Sequence, residues 1–152
     1  MVELAKALVV YYSVYGNTEK IARALATGVE SAGIDVEVTS IDRVAFDKLT
    51  QYDLFAVGAP THTMRIAKPM AEFLDKMKNV NSKGKKGFAF DTKLKFPLAG
   101  SAGKGIEKRL KKMGITIVKP HVSVIVQDAK GPLEEGAEEK FKQIGAELAR
   151  SL

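Results

Sequence analysis

The 152-residue chain contains no cysteine and no tryptophan, and its only histidines are His62 and His121. Without thiols it has no disulfide, no thiolate zinc site, no cysteine-ligated iron–sulfur cluster and no cysteine nucleophile. Two histidines are too few for a multi-histidine metal site. No apolar run approaches the roughly 20 residues of a membrane-spanning helix. The opening MVELAKALVV leads directly into a strand-like segment, with neither the flanks nor the cleavage site of a signal peptide. These absences predict a soluble, cytoplasmic protein with no membrane span. Acids are the scarcer charge, 18 Asp plus Glu against 24 Lys plus Arg, for a net +6. The excess is local. Lys76 to Lys119 holds 13 basic residues against Asp91 and Glu107, a net +11, while the remainder is net −5. Such asymmetry fits either an anionic partner surface or solvated lysines on helix faces.

What is present is an alternation of apolar runs and helical periods. Ala7 to Tyr12 is a continuous apolar run, as expected of a strand covered on both faces. Asn17 to Ala32 places Ile21, Leu25, Val29 and Ala32 on one helical face, with Gly33 as the stop. Asp35 to Ile41 alternates like a strand near a sheet edge, and 42–52 has room for one or two helical turns. Leu54 to Gly58 reads as the third strand, Pro60 to Ile66 as a loop, and Lys68 to Met77 as a helix burying Met70, Phe73, Leu74 and Met77. After a basic connection, Gly87 to Phe90 reads as the fourth strand. A long loop with Pro97, Gly100, Gly103 and Gly105 leads to a helix over Lys104 to Met113. Ile115 to Val118 and Val122 to Val126 form one strand interrupted by Lys119-Pro120-His121, a break that belongs at an edge or bulge. Glu134 to Leu152 reads as the last helix. This order predicts one α/β domain over 1–152. Its architecture is a three-layer doubly wound sandwich around a five-stranded parallel sheet of order 2-1-3-4-5. A ligand then sits beyond the carboxyl ends of strands 1 and 3, where the order reverses.

Three segments converge on that end. Ser13-Val14-Tyr15-Gly16-Asn17-Thr18 joins the first strand to the first helix, and hydroxyls and amides at a positive helix end make a phosphate site. The alternative is that Asn17 or Thr18 merely caps the helix. Pro60, Thr61, His62, Thr63 and Met64 follow the third strand and offer backbone groups and side chains to a flat ligand. Asp91, Thr92 and Lys93 close the fourth. The loop lacks both G-x-x-x-x-G-K-[ST] and G-x-G-x-x-G, which argues against a nucleoside triphosphatase and a dinucleotide fingerprint. The end of the first strand also lacks the adjacent acids a phospho-receiver needs for magnesium.

S-V-Y-G-N-T at 13–18, within Y-S-V-Y-G-N-T-E-K-I-A, resembles the phosphate loop of the flavodoxin family, and Gly58-Ala-Pro-Thr-His62 resembles its first isoalloxazine loop. The spacing follows the short-chain members over essentially the whole chain, so the resemblance implies a flavodoxin-like fold with FMN as cofactor. It implies that Ser13, Val14, Tyr15, Gly16, Asn17 and Thr18 hold the phosphate. Pro60 to Met64 then flank one face of the ring system, and Asp91 to Lys93 its far edge or other face. Tyr15 replaces a small hydroxyl residue, and His62 stands where many members have an aromatic stacker. The strand-4 loop, F-D-T-K-L-K-F, lacks the G-D-x-x-Y pattern and offers only Phe96 nearby. The basic charge also departs from the acidic electron carriers of the family. Because reduced flavin is an anion, Lys93, Lys95 and Lys104 are expected to favour the fully reduced form and make the second potential less negative. His62, ordinarily titrating near about pH 6.5, is either a pH-sensitive neighbour of the flavin or a plain surface residue.

The expectation is therefore an FMN-binding redox protein that carries electrons between a reductase and an acceptor. Its partner would be a redox protein with an acidic docking face. The alternative is a flavin-dependent reductase or oxidase of quinone-like or porphyrinogen substrates, although no residue stands out as its acid or base. Nucleic acid is not expected as a partner, because no aromatics interleave with the lysines.

Overall fold

The computed structural model describes residues 5–62, 65–95 and 99–152. Its strands are β1 Lys6–Tyr11, β2 Asp35–Ser40, β3 Leu54–His62, β4 Arg65–Ile66, β5 Lys86–Leu94, β6 Thr116–Ile117 and β7 Val122–Val126. The helices are α1 Asn17–Ser31, α2 Lys68–Met77, α3 Ala102–Lys112 and α4 Ala137–Ala149. The main sheet runs β2-β1-β3-β5, all parallel, and β6 and β7 both pair in parallel with β5. Counted as one edge strand broken around Lys119-Pro120-His121, they complete the expected order. The break is tolerable because an edge strand has one unpaired side where a missing N–H costs no ladder bond.

Strand periodicity of two sends alternate side chains to opposite layers. Ala7, Val9, Leu54, Ala56, Phe88 and Phe90 face α1 and α4, where they meet Ile21, Leu25, Val29, Phe141 and Leu148. Leu8, Val10, Phe55, Val57, Ala59 and Ala89 face α2 and α3, against Met70, Leu74, Met77, Ile106 and Leu110. On the first of these layers, α1 and α4 approach at backbone distance. A Cβ on Gly28 would lie 1.9 Å from the Lys142 carbonyl oxygen, and one on Gly145 would lie 2.1 Å from that of Leu25.

Several expected boundaries move. β3 does not stop at Gly58, and Pro60 to Ile66 is not a loop throughout. Pro60–His62 continues the strand, and Thr61 and His62 pair antiparallel with Ile66 and Arg65 of β4. β5 likewise runs from Lys86 to Leu94, so Asp91, Thr92 and Lys93 lie in a strand, paired with Ser123, Val124 and Ile125 of β7. Backbone pairing on a neighbour carries both strands past the end of their apolar runs. α3 starts at Ala102, so Gly103 and Gly105 are helical, because Ser101 caps it by accepting the Lys104 amide. α4 starts at Ala137. Glu134 is held outside it, where its N–H donates to the Ile125 carbonyl. The stretch 42–52 is two short 3₁₀ turns, Ile41–Arg43 and Phe46–Gln51.

Candidate functional site

The carboxyl ends of β1, β3, β5 and β7 open onto one cleft, lined by Ser13, Val14, Tyr15, Asn17, Thr18, Pro60, Thr61, His62, Thr92, Lys93, Leu94, Val126 and Ala129. A larger depression at the opposite end of the sheet, lined by Lys6, Asp35, Asp53 and Lys86 among others, holds none of the expected site residues.

The segment from β1 to α1 is shaped by its own side chains. Gly16 precedes α1 with φ at +92°, a left-handed conformation that glycine adopts without steric cost. Ser13 Oγ accepts the N–H groups of Gly16 and Glu19 at 3.1 and 3.3 Å. Neither Asn17 nor Thr18 caps the helix. Thr18 Oγ1 instead lies 3.0 Å from Thr92 Oγ1, joining the start of α1 to β5. The amides of Val14, Tyr15, Asn17 and Thr18 have no acceptor among the described residues. They stand at the positive end of a 15-residue helix. Behind the loop, burial and then the Glu19 carboxylate push the Tyr11 hydroxyl pKa up, while Arg23 holds that of Glu19 down.

The wall from β3 and β5 is braced from below. Thr61 donates to Asp91 Oδ2 at 2.6 Å and accepts the Ala102 amide at 2.9 Å. Asp91 Oδ1 also accepts Ser123 Oγ at 2.6 Å and Ser101 Oγ at 3.2 Å. Asp91 is 0% exposed, and Gly103 leaves room for it, since a Cβ there would lie 2.7 Å from Oδ1. The expectation that Asp91 faces a ligand is therefore corrected for its side chain. In a strand it points opposite to Thr92, into the α3 side, and braces the cleft wall instead of lining it. Thr92 and Lys93 do line the cleft, and so does exposed His62, whose ring meets Tyr12 edge-on at 6.4 Å. Thr63, Met64 and Phe96 lie outside the described residues.

Leu94, Val126 and Ala129 were not among the expected residues. Leu94 had a signal, as a large apolar residue just past an apolar strand. Val126 and Ala129 follow from the rule that all parallel strands end on the same side, applied to the last strand as well. Val14, Tyr15 and Leu94 are 48%, 55% and 39% exposed, and all three border this cleft. His121 has a partner that no sequence pattern signalled. Its backbone N–H donates to Glu107 Oε1 at 3.0 Å, and its ring lies 3.4 Å from Oε2.

A parallel sheet in this order is the doubly wound α/β fold, and the β1–α1 loop lies at its switch point. The flavodoxin family profile matches residues 9–141, and the chain belongs to that family. FMN is the cofactor this membership implies. A flavodoxin from the domain Archaea superposes with a TM-score of 0.86 at 31% identity, covering 96% of this chain and 97% of that one. Flavodoxin 1 from Bacillus cereus does so at 0.84 and 27%, covering 97% and 99%. Among curated proteins, one named NAD(P)H dehydrogenase (quinone) from Azorhizobium caulinodans is 39% identical over 47% of this chain and 46% of its own length. The chain thus spans about half the length of the curated relatives it matches. Together these similarities assign the chain a redox role as a flavodoxin-like flavoprotein. Among the described residues, no helix is long and apolar enough to cross a membrane, and no cluster of three potential metal ligands occurs.

Proposed function

We propose that the chain binds FMN in this cleft and carries electrons between a reductase and an acceptor. The observation that supports this reading best is the row of unclaimed amides at Val14, Tyr15, Asn17 and Thr18, opposite the wall of Pro60–His62 and Thr92–Leu94. The residues fit the cofactor. A phosphate dianion takes the amides and the hydroxyl of Thr18, while Gly16, with no atom within 4 Å of where its Cβ would stand, leaves the backbone approachable. Ser13 holds the turn in shape. The ends of β3 and β5, with His62 and Tyr15 at the borders of the cleft, would hold the ring system. Bound FMN supplies the redox chemistry, accepting and releasing electrons. Lys93 keeps a positive charge at the wall, favouring negative charge in the cleft.

Two measurements test this. The purified protein should show the visible flavin band, and the apoprotein should prefer FMN to riboflavin by at least about tenfold, or about 1.4 kcal/mol. Equal affinity for the two would overturn the phosphate assignment. The similarity to quinone dehydrogenases supports a second reading, direct reduction of quinones by NAD(P)H. A carrier oxidises NAD(P)H only when a separate reductase is added, whereas the enzyme does so with quinone alone.

A further inference from the structure

Part of the positive excess between Lys76 and Lys119 lies on one helix. α3 carries Lys104, Lys108, Arg109, Lys111 and Lys112 against the single acid Glu107. Glu107 is turned away to His121, and Arg109 lies 3.5 Å from Asp75 of α2. Lys104, Lys108, Lys111 and Lys112 remain, all exposed and with no carboxylate within ion-pair distance among the described residues. At about 100° per residue, these four fall within a stripe about 100° wide. Lys111 and Lys112 stand in the last turn, where the helix dipole favours a cation, but the rest of the stripe runs against local stability. Lys104–Lys108 and Lys108–Lys112 are like-charge pairs at i,i+4, and Lys104 sits in the first turn, where the dipole disfavours a cation. Sequences break local rules of this kind chiefly at functional surfaces.

The stripe is joined to the cleft. Ser101 caps α3 and bonds Asp91, which holds the cleft-lining Thr61, so Lys104 stands one turn from the cleft wall. Large apolar side chains are exposed at Val14, Tyr15 and Leu94 beside the cleft, and the α3 stripe itself carries none. We infer that this stripe docks an acidic protein redox partner, steering the partner's face over the apolar border of the cleft. Lysines without interleaved aromatics do not suit base stacking, and a stripe without apolar residues does not suit insertion into a membrane. This inference rests on the electron-carrier reading above and names the surface and charge of its partner.

The test compares the FMN-loaded wild type with the triple variants K108Q/K111Q/K112Q and K108E/K111E/K112E, which leave Lys104 near the cleft in place. Each is reduced with dithionite and mixed in stopped flow with acidic cytochrome b5 or with a neutral water-soluble benzoquinone. The cytochrome rate at low salt should fall about tenfold or more in the Glu variant and less in the Gln variant, and added salt should erase the difference. The benzoquinone rate should stay unchanged, and each variant should keep the wild-type far-ultraviolet circular dichroism as a check that it is folded. Cytochrome rates insensitive to both substitutions would overturn the docking surface. So would binding of single-stranded RNA or phosphatidylserine vesicles that is lost in the variants while the cytochrome rates hold. The visible flavin band in each preparation separates failure of the cofactor reading from failure of docking. NMR shift mapping of the apoprotein against the same cytochrome probes the surface without FMN.

Discussion

Asp91 shows how a single side chain can govern a site it does not enter. It is the one buried carboxylate among the described residues, and it gathers hydroxyls from β3, the α3 cap and β7. Hydrogen bonds to a carboxylate are worth about 1.5–3 kcal/mol each, and losing this one removes the shared acceptor of three part-buried hydroxyls. Asp91→Ala should therefore cost about 3 kcal/mol or more, read as a lower urea midpoint at unchanged slope. Asp91→Asn, which keeps one acceptor oxygen, should cost less. Tyr52, away from the cleft, bears on stability instead. Its hydroxyl donates to Glu37 Oε2, and burial first, then that carboxylate, push its pKa from 10.0 up to about 12. The folded state then holds a proton that the unfolded chain releases. The contribution is complete below about pH 10 and is lost as pH rises towards 12. Alkaline titration of stability should fall less steeply in Tyr52→Phe across that window, and an unchanged slope would refute the assignment.

At the scale of elements, the contact of α1 with α4 depends on having no side chain at two positions. Gly28 and Gly145 each lie against the opposite helix backbone, where a methyl would stand within 2.1 Å of a carbonyl oxygen. Gly28→Ala or Gly145→Ala must push the helices apart and should cost at least about 1–3 kcal/mol, as overpacking does, seen by thermal or urea unfolding. The pattern of strands and helices was legible throughout, because apolar runs and 3.6-residue stripes report which face is buried. Strand ends were less so. Pro60–His62 and Asp91–Leu94 are polar or mixed, and they are strand because they pair with β4, with β7 and, at Pro60 and Thr92, with each other. The start of α3 was obscured by its glycines, which serve packing there. Gly103 makes room for Asp91 and Gly105 for Ile66.

For the whole molecule, stability and cofactor are linked. A ligand that binds only the folded chain stabilises it by about 2.7 kcal/mol at a hundredfold excess over its Kd. For about 150 residues this raises Tm by roughly 5–10 °C. FMN should produce that shift in differential scanning fluorimetry, and riboflavin, lacking the phosphate, should produce a smaller one at the same concentration. A shift of the same size from both would show that the α1 amides do not hold a phosphate.

The sequence by itself determined the layer order, the composition of both cores, the phosphate-type loop and the excess of positive charge. Each of these is written in local spacing and residue type. Only the tertiary structure decided that Asp91 braces the site from beneath, that Glu107 and Asp75 turn to His121 and Arg109, and that four lysines are left as a single stripe beside the cleft. Those outcomes depend on pairs 14 to 34 positions apart, brought together by the crossover connections of a parallel sheet, which no local pattern encodes.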